Sequence, residues 1–284
     1  MQQVKTIAQM QELSKQWHFC GDKVAVIPTM GALHEGHLSL IRLAKKYAQK
    51  IIVTIFVNPT QFGEGEDLDA YPRPLKEDMH LCDLEGADAV FTPSAQEMYP
   101  QGSSTWVDET QVGLGLCGAK RLGHFRGVTT IVTKLFLAVL PDCAIFGEKD
   151  FQQLAVIRRM VRDLNFPVEV IGAPLIREED GLAMSSRNRY LSNEERSNAL
   201  SLSKSLNYAL EEIKNKPSIT PEILKGEMHE MIESSGGQVD YIEFLNAESL
   251  QELDGFMNAG EIRVLVAAKF GPARLIDNMG LTLG

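Results

Sequence analysis

Val24-Ala25-Val26-Ile27-Pro28-Thr29-Met30-Gly31-Ala32-Leu33-His34-Glu35-Gly36-His37 joins a short apolar run, a proline, a glycine-bearing turn and two histidines three positions apart. A run apolar on both faces is what a strand covered by helices on each side requires. Pro28 predicts the end of that strand. The periodic stretch 38–48 predicts a helix directly after it. Strand, turn and helix in that order are the first half of a parallel crossover unit.

The same alternation extends outward. Residues 51–57 predict a second buried strand, 74–85 a helix, and 87–91 a strand stopped by Pro93. Within 128–140, Val128, Ile131, Val132, Leu135, Phe136 and Val139 keep the helical spacing, and 143–146, 152–164 and 168–176 predict strand, helix and strand. Short buried strands separated by helices predict an α/β fold, a doubly wound parallel sheet of Rossmann-like type over residues 1–176. The plan then changes. Residues 177–190 are polar and without period. Ser192 with Glu195 predicts a capping box opening one long helix whose buried face is Ala199, Leu202, Leu206, Ala209 and Ile213. Thr220-Pro221 predicts another helix start, Gly236-Gly237 a turn, and 239–245 and 262–268 strands. Residues 177–284 are thus expected to form a smaller α+β lid domain.

At 284 residues, with 44% hydrophobic and 23% charged, the chain has the makings of one large or two modest globular domains. A net charge of −10 without a lysine or arginine block excludes a large nucleic-acid footprint but allows a small basic pocket. Cys20, Cys82, Cys117 and Cys143 lie far apart, which predicts reduced thiols rather than a disulfide framework or a metal site. No basic segment followed by an apolar run opens the chain, and Leu135 to Leu140 falls far short of the about 20 residues a bilayer span needs. A cytoplasmic protein without membrane spans is expected.

In a doubly wound sheet, ligands bind beyond the carboxyl ends of the strands. His34 and His37 share one face at a helix start, where backbone N–H groups and partial positive charge suit a phosphate. Two histidines alone also fit a surface pair or a zinc pair. No third ligand signature follows, and the spacing is not H-E-x-x-H. Asn58 and Gln61, in Asn-Pro-Thr-Gln-Phe after the second strand, are neutral amides suited to a hydroxyl or carboxylate. Gly147-Glu148-Lys149-Asp150 puts a lysine at a strand-to-helix turn, within reach of a phosphate. Met184-Ser185-Ser186-Arg187 supplies two hydroxyls and a guanidinium in a loop able to close over a polyphosphate. Gly113-Leu114-Gly115-Leu116-Cys117-Gly118 matches G-x-G-x-x-G, but no strong strand leads into it and no periodic helix follows. A P-loop is absent from the sequence.

Together and in this order, segments 28–37, 56–62 with 71–73, 123–128, 146–153 and 181–189 resemble the pantothenate synthetase family. The resemblance runs from about residue 24 to residue 277. His34-Glu35-Gly36-His37 is similar to the H-x-G-H motif of the nucleotidyltransferase superfamily, and Met184–Arg187 to its mobile K-M-S-K-S-type loop. Leu122 departs from the proline that many relatives carry before Gly-His-Phe. The resemblance implies ATP-dependent condensation of (R)-pantoate with β-alanine through a pantoyl adenylate, releasing AMP and pyrophosphate.

It also implies site residues. ATP falls to Met30, Gly31, Ala32, Leu33, His34, Glu35, Gly36, His37, Gly147, Glu148, Lys149, Asp150, Ile176, Met184, Ser185, Ser186 and Arg187. Gln61 and Gln153 take pantoate, with Gln61 bordering the β-alanine site, and Asn58 joins the substrate residues. His37 is the implied proton donor; His34, Lys149, Ser185 and Arg187 complete the catalytic set. Mg²⁺ would ride on the ATP phosphates, with no protein metal site. The second domain would close over the adenylate, and the family implies a homodimer. His124 and Arg126 receive no role. The rival reading is another H-x-G-H enzyme that transfers AMP to a phosphorylated acceptor and stops there.

Overall fold

The computed structural model describes residues 1–282 apart from 64, 67, 217 and 257–259. The chain divides into two compact units, 1–148 with 152–174, and 149–151 with 175–284.

The first unit runs β1 (Gln2–Val4), α1 (Ile7–Phe19), β2 (Val24–Thr29), α2 (Glu35–Ala44), β3 (Lys50–Ile55), α3 (Leu75–Leu84), β4 (Ala89–Phe91), α4 (Ala95–Met98), α5 (Leu116–Lys120), α6 (His124–Val139), β5 (Cys143–Gly147), α7 (Phe151–Asp163) and β6 (Glu169–Ala173). Its six strands pair in parallel in the order β1-β4-β3-β2-β5-β6. The order reverses between β2 and β5, so the topological switch point opens beyond Thr29 and Gly147, the expected place for a ligand. Alternation divides the strands between two faces. Ala25, Ile27, Ile51, Val53, Val90, Cys143 and Ile145 pack with Leu40, Ile41 and Ala44 of α2 in one core. Burial pushes the Cys143 thiol up to about 11.

The α/β, doubly wound reading holds, with local corrections. Pro28 does not end β2 but lies inside it, paired in register with Thr54 of β3. Pairing to β5 covers only Ala25 and Val26, so the N–H that proline lacks falls beyond that ladder. Helix α6 begins four residues before the periodic stretch, at His124. The G-x-G-x-x-G stretch leads into the five-residue α5, and residues 103–110 before it form no strand.

The second unit contains α8 (Asn193–Ala199), α9 (Ser201–Asn215), α10 (Pro221–Glu233) and the antiparallel strands β7 (Gln238–Asn246), β8 (Glu261–Phe270) and β9 (Ala273–Thr282), ordered β7-β8-β9. The one long helix expected after Ser192 is two, divided at Leu200. The capping box forms, with Ser192 Oγ accepting from Glu195 N–H and Glu195 returning a bond to Ser192 N–H. Ala199, Leu202, Leu206, Ala209 and Ile213 are all buried, against Val264, Val266 and Phe270 of β8 and Leu224, Met228 and Ile232 of α10.

Candidate active site

In the first unit, the turn after β2 is built by hydrogen bonds that its own residues cannot complete. Thr29 Oγ1 donates to Thr54 O at 2.7 Å and accepts from Gly31 N–H at 3.2 Å. Gly31 has φ of +83°, and a Cβ there would stand 2.9 Å from Asp78 Oδ2. Asp78, 1% exposed on α3, takes the N–H of Ala32 at 2.9 Å and of Leu33 at 2.8 Å. Those two amides are therefore turned toward the carboxylate. Sequence reading missed Asp78, because an acid in a helix's first turn beside Glu77 looks like an ordinary cap.

The turn delivers His34 as the N-cap of α2 and His37 one turn in. His37 Nδ1 accepts from the His34 N–H at 3.3 Å, and the two ring centroids are 4.0 Å apart. An accepting Nδ1 fixes the neutral ring's proton on Nε2, so His37 carries a donor on its outer nitrogen. Glu35 pairs with Arg42 along α2. Gly147 closes β5, where an added Cβ would meet nothing within 4 Å, so the protein's own packing does not demand glycine there.

Beyond β3, Asn58 is 1% exposed and its amide is occupied throughout. Asn58 Nδ2 donates to Gln61 Oε1 and to Gly127 O, both at 3.1 Å. Its Oδ1 accepts from Thr60 N–H, Thr60 Oγ1 and Tyr99 Oη at 3.4, 3.0 and 3.0 Å. Burial pushes the Tyr99 phenol up, so it stays protonated as that donor. Gly127 allows the loop this close to α6, since a Cβ would fall 2.3 Å from Thr60 O. Gln61 is 8% exposed and points Nε2 at Met30 Sδ, 2.9 Å away. A thioether is a weak acceptor, so a hydroxyl or carboxylate displaces it easily. Met30 and Gln61 are thus brought together. On α7, Gln152 is buried and braces residues 112–117, accepting from Cys117 N–H and donating to Val112 O and Gly115 O at 3.0, 3.0 and 2.8 Å. Gln153 beside it is only partly buried.

In the second unit, Ile176 O accepts from Met184 N–H at 3.0 Å, and Arg177 and Ala183 form a short antiparallel bridge. Residues 177–190, aperiodic in sequence, thus turn back on themselves and end in a 3-10 helix, Ser186–Tyr190, which Ser185 Oγ caps by accepting from Arg187 N–H at 3.2 Å. Ion pairs stitch the segment down. Arg177 donates twice to Asp277, at 2.7 and 2.9 Å, and once to Gly181 O. Arg196 holds Glu178 and Asp180, each at 2.7 Å, and Asn188 Nδ2 reaches Glu178 and Ala183 O. Lys149 lies 3.7 Å from Asp150 Oδ2, and its carbonyl accepts from Asn278 Nδ2 at 3.0 Å. Asn278 N–H in turn donates to Asp277 Oδ1 at 2.7 Å. One polar chain therefore joins Lys149 to the segment carrying Met184 and Arg187. Among the described residues, no three His, Cys, Asp or Glu side chains gather as a metal-holding group.

A family model, pantoate-beta-alanine ligase, matches residues 2–280. A curated relative from Acetivibrio thermocellus, named pantothenate synthetase, is 48% identical over 279 residues, 98% of this chain and 99% of its own. The Geobacter sulfurreducens pantothenate synthetase is 47% identical over 98% of each chain. A crystal structure of the Thermus thermophilus enzyme superposes with a TM-score of 0.91 at 43% identity, covering 98% of this chain and 99% of that one. A pantoate-beta-alanine ligase from Francisella tularensis, solved with beta-gamma ATP and beta-alanine, gives 0.79 at 32% identity, covering 98% and 97%.

Proposed function

Because this chain belongs to the pantoate-beta-alanine ligase family, we propose that it condenses (R)-pantoate with β-alanine, using ATP, through an enzyme-bound pantoyl adenylate. The pantoate carboxylate attacks the α-phosphorus and pyrophosphate leaves. The β-alanine amine then attacks the mixed-anhydride carbonyl, AMP departs with the bonding pair, and nitrogen loses a proton. The observation that carries the reading is the His34–His37 pair at the helix start beyond the central strand, with a proton-bearing Nε2 on His37. Donors preset where charge grows on a phosphate are worth about 3–4 kcal/mol each.

In this reading ATP is held by residues 30–37 and 147–150, with Ile176, Met184, Ser185, Ser186 and Arg187. Gln61 and Gln153 receive pantoate. Asn58 acts through Gln61, because its own amide is spent on protein. Mg²⁺ arrives with the ATP phosphates as part of the substrate. The enzyme works as a homodimer in the cytoplasm; no described helix is long and apolar enough to cross a membrane.

Supplying ATP and pantoate without β-alanine tests the mechanism. Pyrophosphate should appear to about one equivalent per site and then slow, as a single committed adenylation requires. With ¹⁸O in the pantoate carboxylate, adding β-alanine should move one label into AMP. Label absent from AMP and recovered in phosphate or pyrophosphate instead would exclude attack by the carboxylate on the α-phosphorus. An AMP-bearing product in place of free AMP would favour the rival transferase chemistry.

A further inference from the structure

His124 opens α6, is 8% exposed, and has both ring nitrogens engaged by protein. Its Nδ1 stands 2.8 Å from the main-chain O of Gln61, and its Nε2 stands 3.0 Å from Arg121 Nη1. A carbonyl oxygen only accepts and a guanidinium only donates. Both neighbours therefore select the same state, a neutral imidazole with its proton on Nδ1 and a lone pair on Nε2. An imidazolium would lose the Arg121 bond and set two cations together in a buried place. Arg121 is itself fixed, with Nε and Nη2 donating to the two oxygens of Glu66 at 2.7 Å each. A second Arg121 contact reaches the same Gln61 carbonyl at 3.5 Å.

The chain Glu66–Arg121–His124 thus ends on the backbone of one residue, Gln61. From the other side Asn58 holds that residue's side-chain oxygen, and Gly127 brings α6 against its Cα. A glutamine has three side-chain torsions, and ordering them at the moment of binding costs affinity. Fixing the main chain and one end of the amide beforehand leaves Nε2 resting on the weak Met30 Sδ acceptor, which a ligand oxygen can displace.

We propose that His124, kept as its Nδ1–H tautomer by Arg121 and Glu66, is a positioning residue for Gln61 and so for the pantoate subsite. This rests on the assignment of Gln61 to pantoate made above. The role differs from that of the two helix-start histidines, since His124 works only through the Gln61 carbonyl.

Steady-state kinetics of His124→Ala, His124→Asn, Arg121→Ala and Gln61→Ala test it, with pantoate and ATP varied separately. Asparagine places an N–H donor where imidazole Nδ1 stands, and so serves as the rescuing variant. His124→Ala should raise KM for pantoate about ten- to hundredfold, the scale of a lost buried hydrogen bond, and leave KM for ATP within about twofold. His124→Asn should recover most of the loss, and Arg121→Ala should fall between the two. Equal losses for both substrates, or an asparagine variant no better than alanine, would overturn the positioning role. Nitrogen-15 spectra of histidine-labelled enzyme at neutral pH, assigned by difference from His124→Asn, give a readout independent of substrate. A protonated Nδ1 and bare Nε2 are expected; the opposite tautomer or an imidazolium overturns the proposal. If Gln61→Ala leaves KM for pantoate unchanged, the assignment of Gln61 falls and the pantoate half of the proposal with it. The tautomer then decides separately whether His124 is the peg.

Discussion

The loop at 58–61 and the loop at 184–187 are both short and both face substrate in the proposed reading, yet they are held by opposite chemistry. The first is locked by neutral groups: an amide 1% exposed, a phenol, main-chain carbonyls and the close approach of a glycine. The second is tied by charges, Arg177 to Asp277 and Arg196 to Glu178 and Asp180, with both arginines about a quarter to a third exposed (24% and 32%). A buried neutral network fixes one geometry and is indifferent to salt. The Arg196 pairs, partly exposed on both sides, hold more weakly and yield to screening, while Arg177 caps the buried carboxylate of Asp277. Recognition of a small hydroxy acid suits the first kind of support, and a loop that must adjust to a polyphosphate suits the second.

The charged side should fail hardest. Lys149→Ala is expected to lower turnover at saturating substrates by about a hundredfold, as the loss of one donor to a developing charge does. A folded variant with near wild-type turnover would move the catalytic charge elsewhere.

The neutral side should separate two adjacent glutamines. Gln152→Ala strands a buried N–H of Cys117 and two carbonyls, and is expected to cost about 1–3 kcal/mol of unfolding free energy. Gln153→Ala should leave stability nearly unchanged, yet weaken pantoate binding far more than ATP binding. Urea titration and calorimetry read the two effects. Equal weakening for both ligands would take Gln153 out of the acid subsite.

The smallest effect lies where the two kinds of support meet, at Glu66. The Arg121 hydrogen bond holds its carboxyl below the ordinary 4.5, despite the opposing effect of burial. A depressed carboxylate contributes stability above its unfolded pKa and loses it as pH falls through the folded one. Glu66→Gln should therefore be less stable than the parent at about pH 7 by no more than about 1 kcal/mol. The gap should narrow as pH falls below the ordinary 4.5 and close once the parent's depressed carboxylate is protonated too. A gap that persists in acid would show that packing rather than charge holds Arg121.

Strands apolar on both faces were readable because covering helices leave no polar position to disguise them, as in 24–27, 51–57 and 143–146. The five buried positions of the helix pair from 193 to 215 were readable because their apolar residues recur at helical spacing between polar ones. Strand β1 was not, having three residues of which only Val4 is buried. Helix α1 buries only Met10 and Ser14, and β9 hides Asp277 and Asn278 at buried positions where apolar residues would have signalled a strand. Leucine carries no break signal, so the division at Leu200 left no trace. Among the residues of the proposed site, His34, His37, Gln61 and Lys149 stood out by type and place in the sequence. Asp78 and Arg121 make their contacts only when distant segments meet, and nothing local in the chain marks them; His124 sits in the distinctive 123–128 stretch, but its partners there could not be read.

Lys149–Phe151 has a consequence for inheritance. This tripeptide follows β5 in the gene but belongs with 175–284, where Arg263 lies 3.8 Å over the Phe151 ring and Asn278 takes the Lys149 carbonyl. No single continuous stretch of coding sequence therefore specifies the second unit. A crossover between related genes at the codon for Leu175 would draw the tripeptide from one parent and its partners, Arg263 and Asn278, from the other. An exchange confined to 193–233 would leave the tripeptide, Arg263 and Asn278 with one parent. The safe seams for recombination thus follow the tripeptide's contacts, and the order of the elements along the chain does not reveal them.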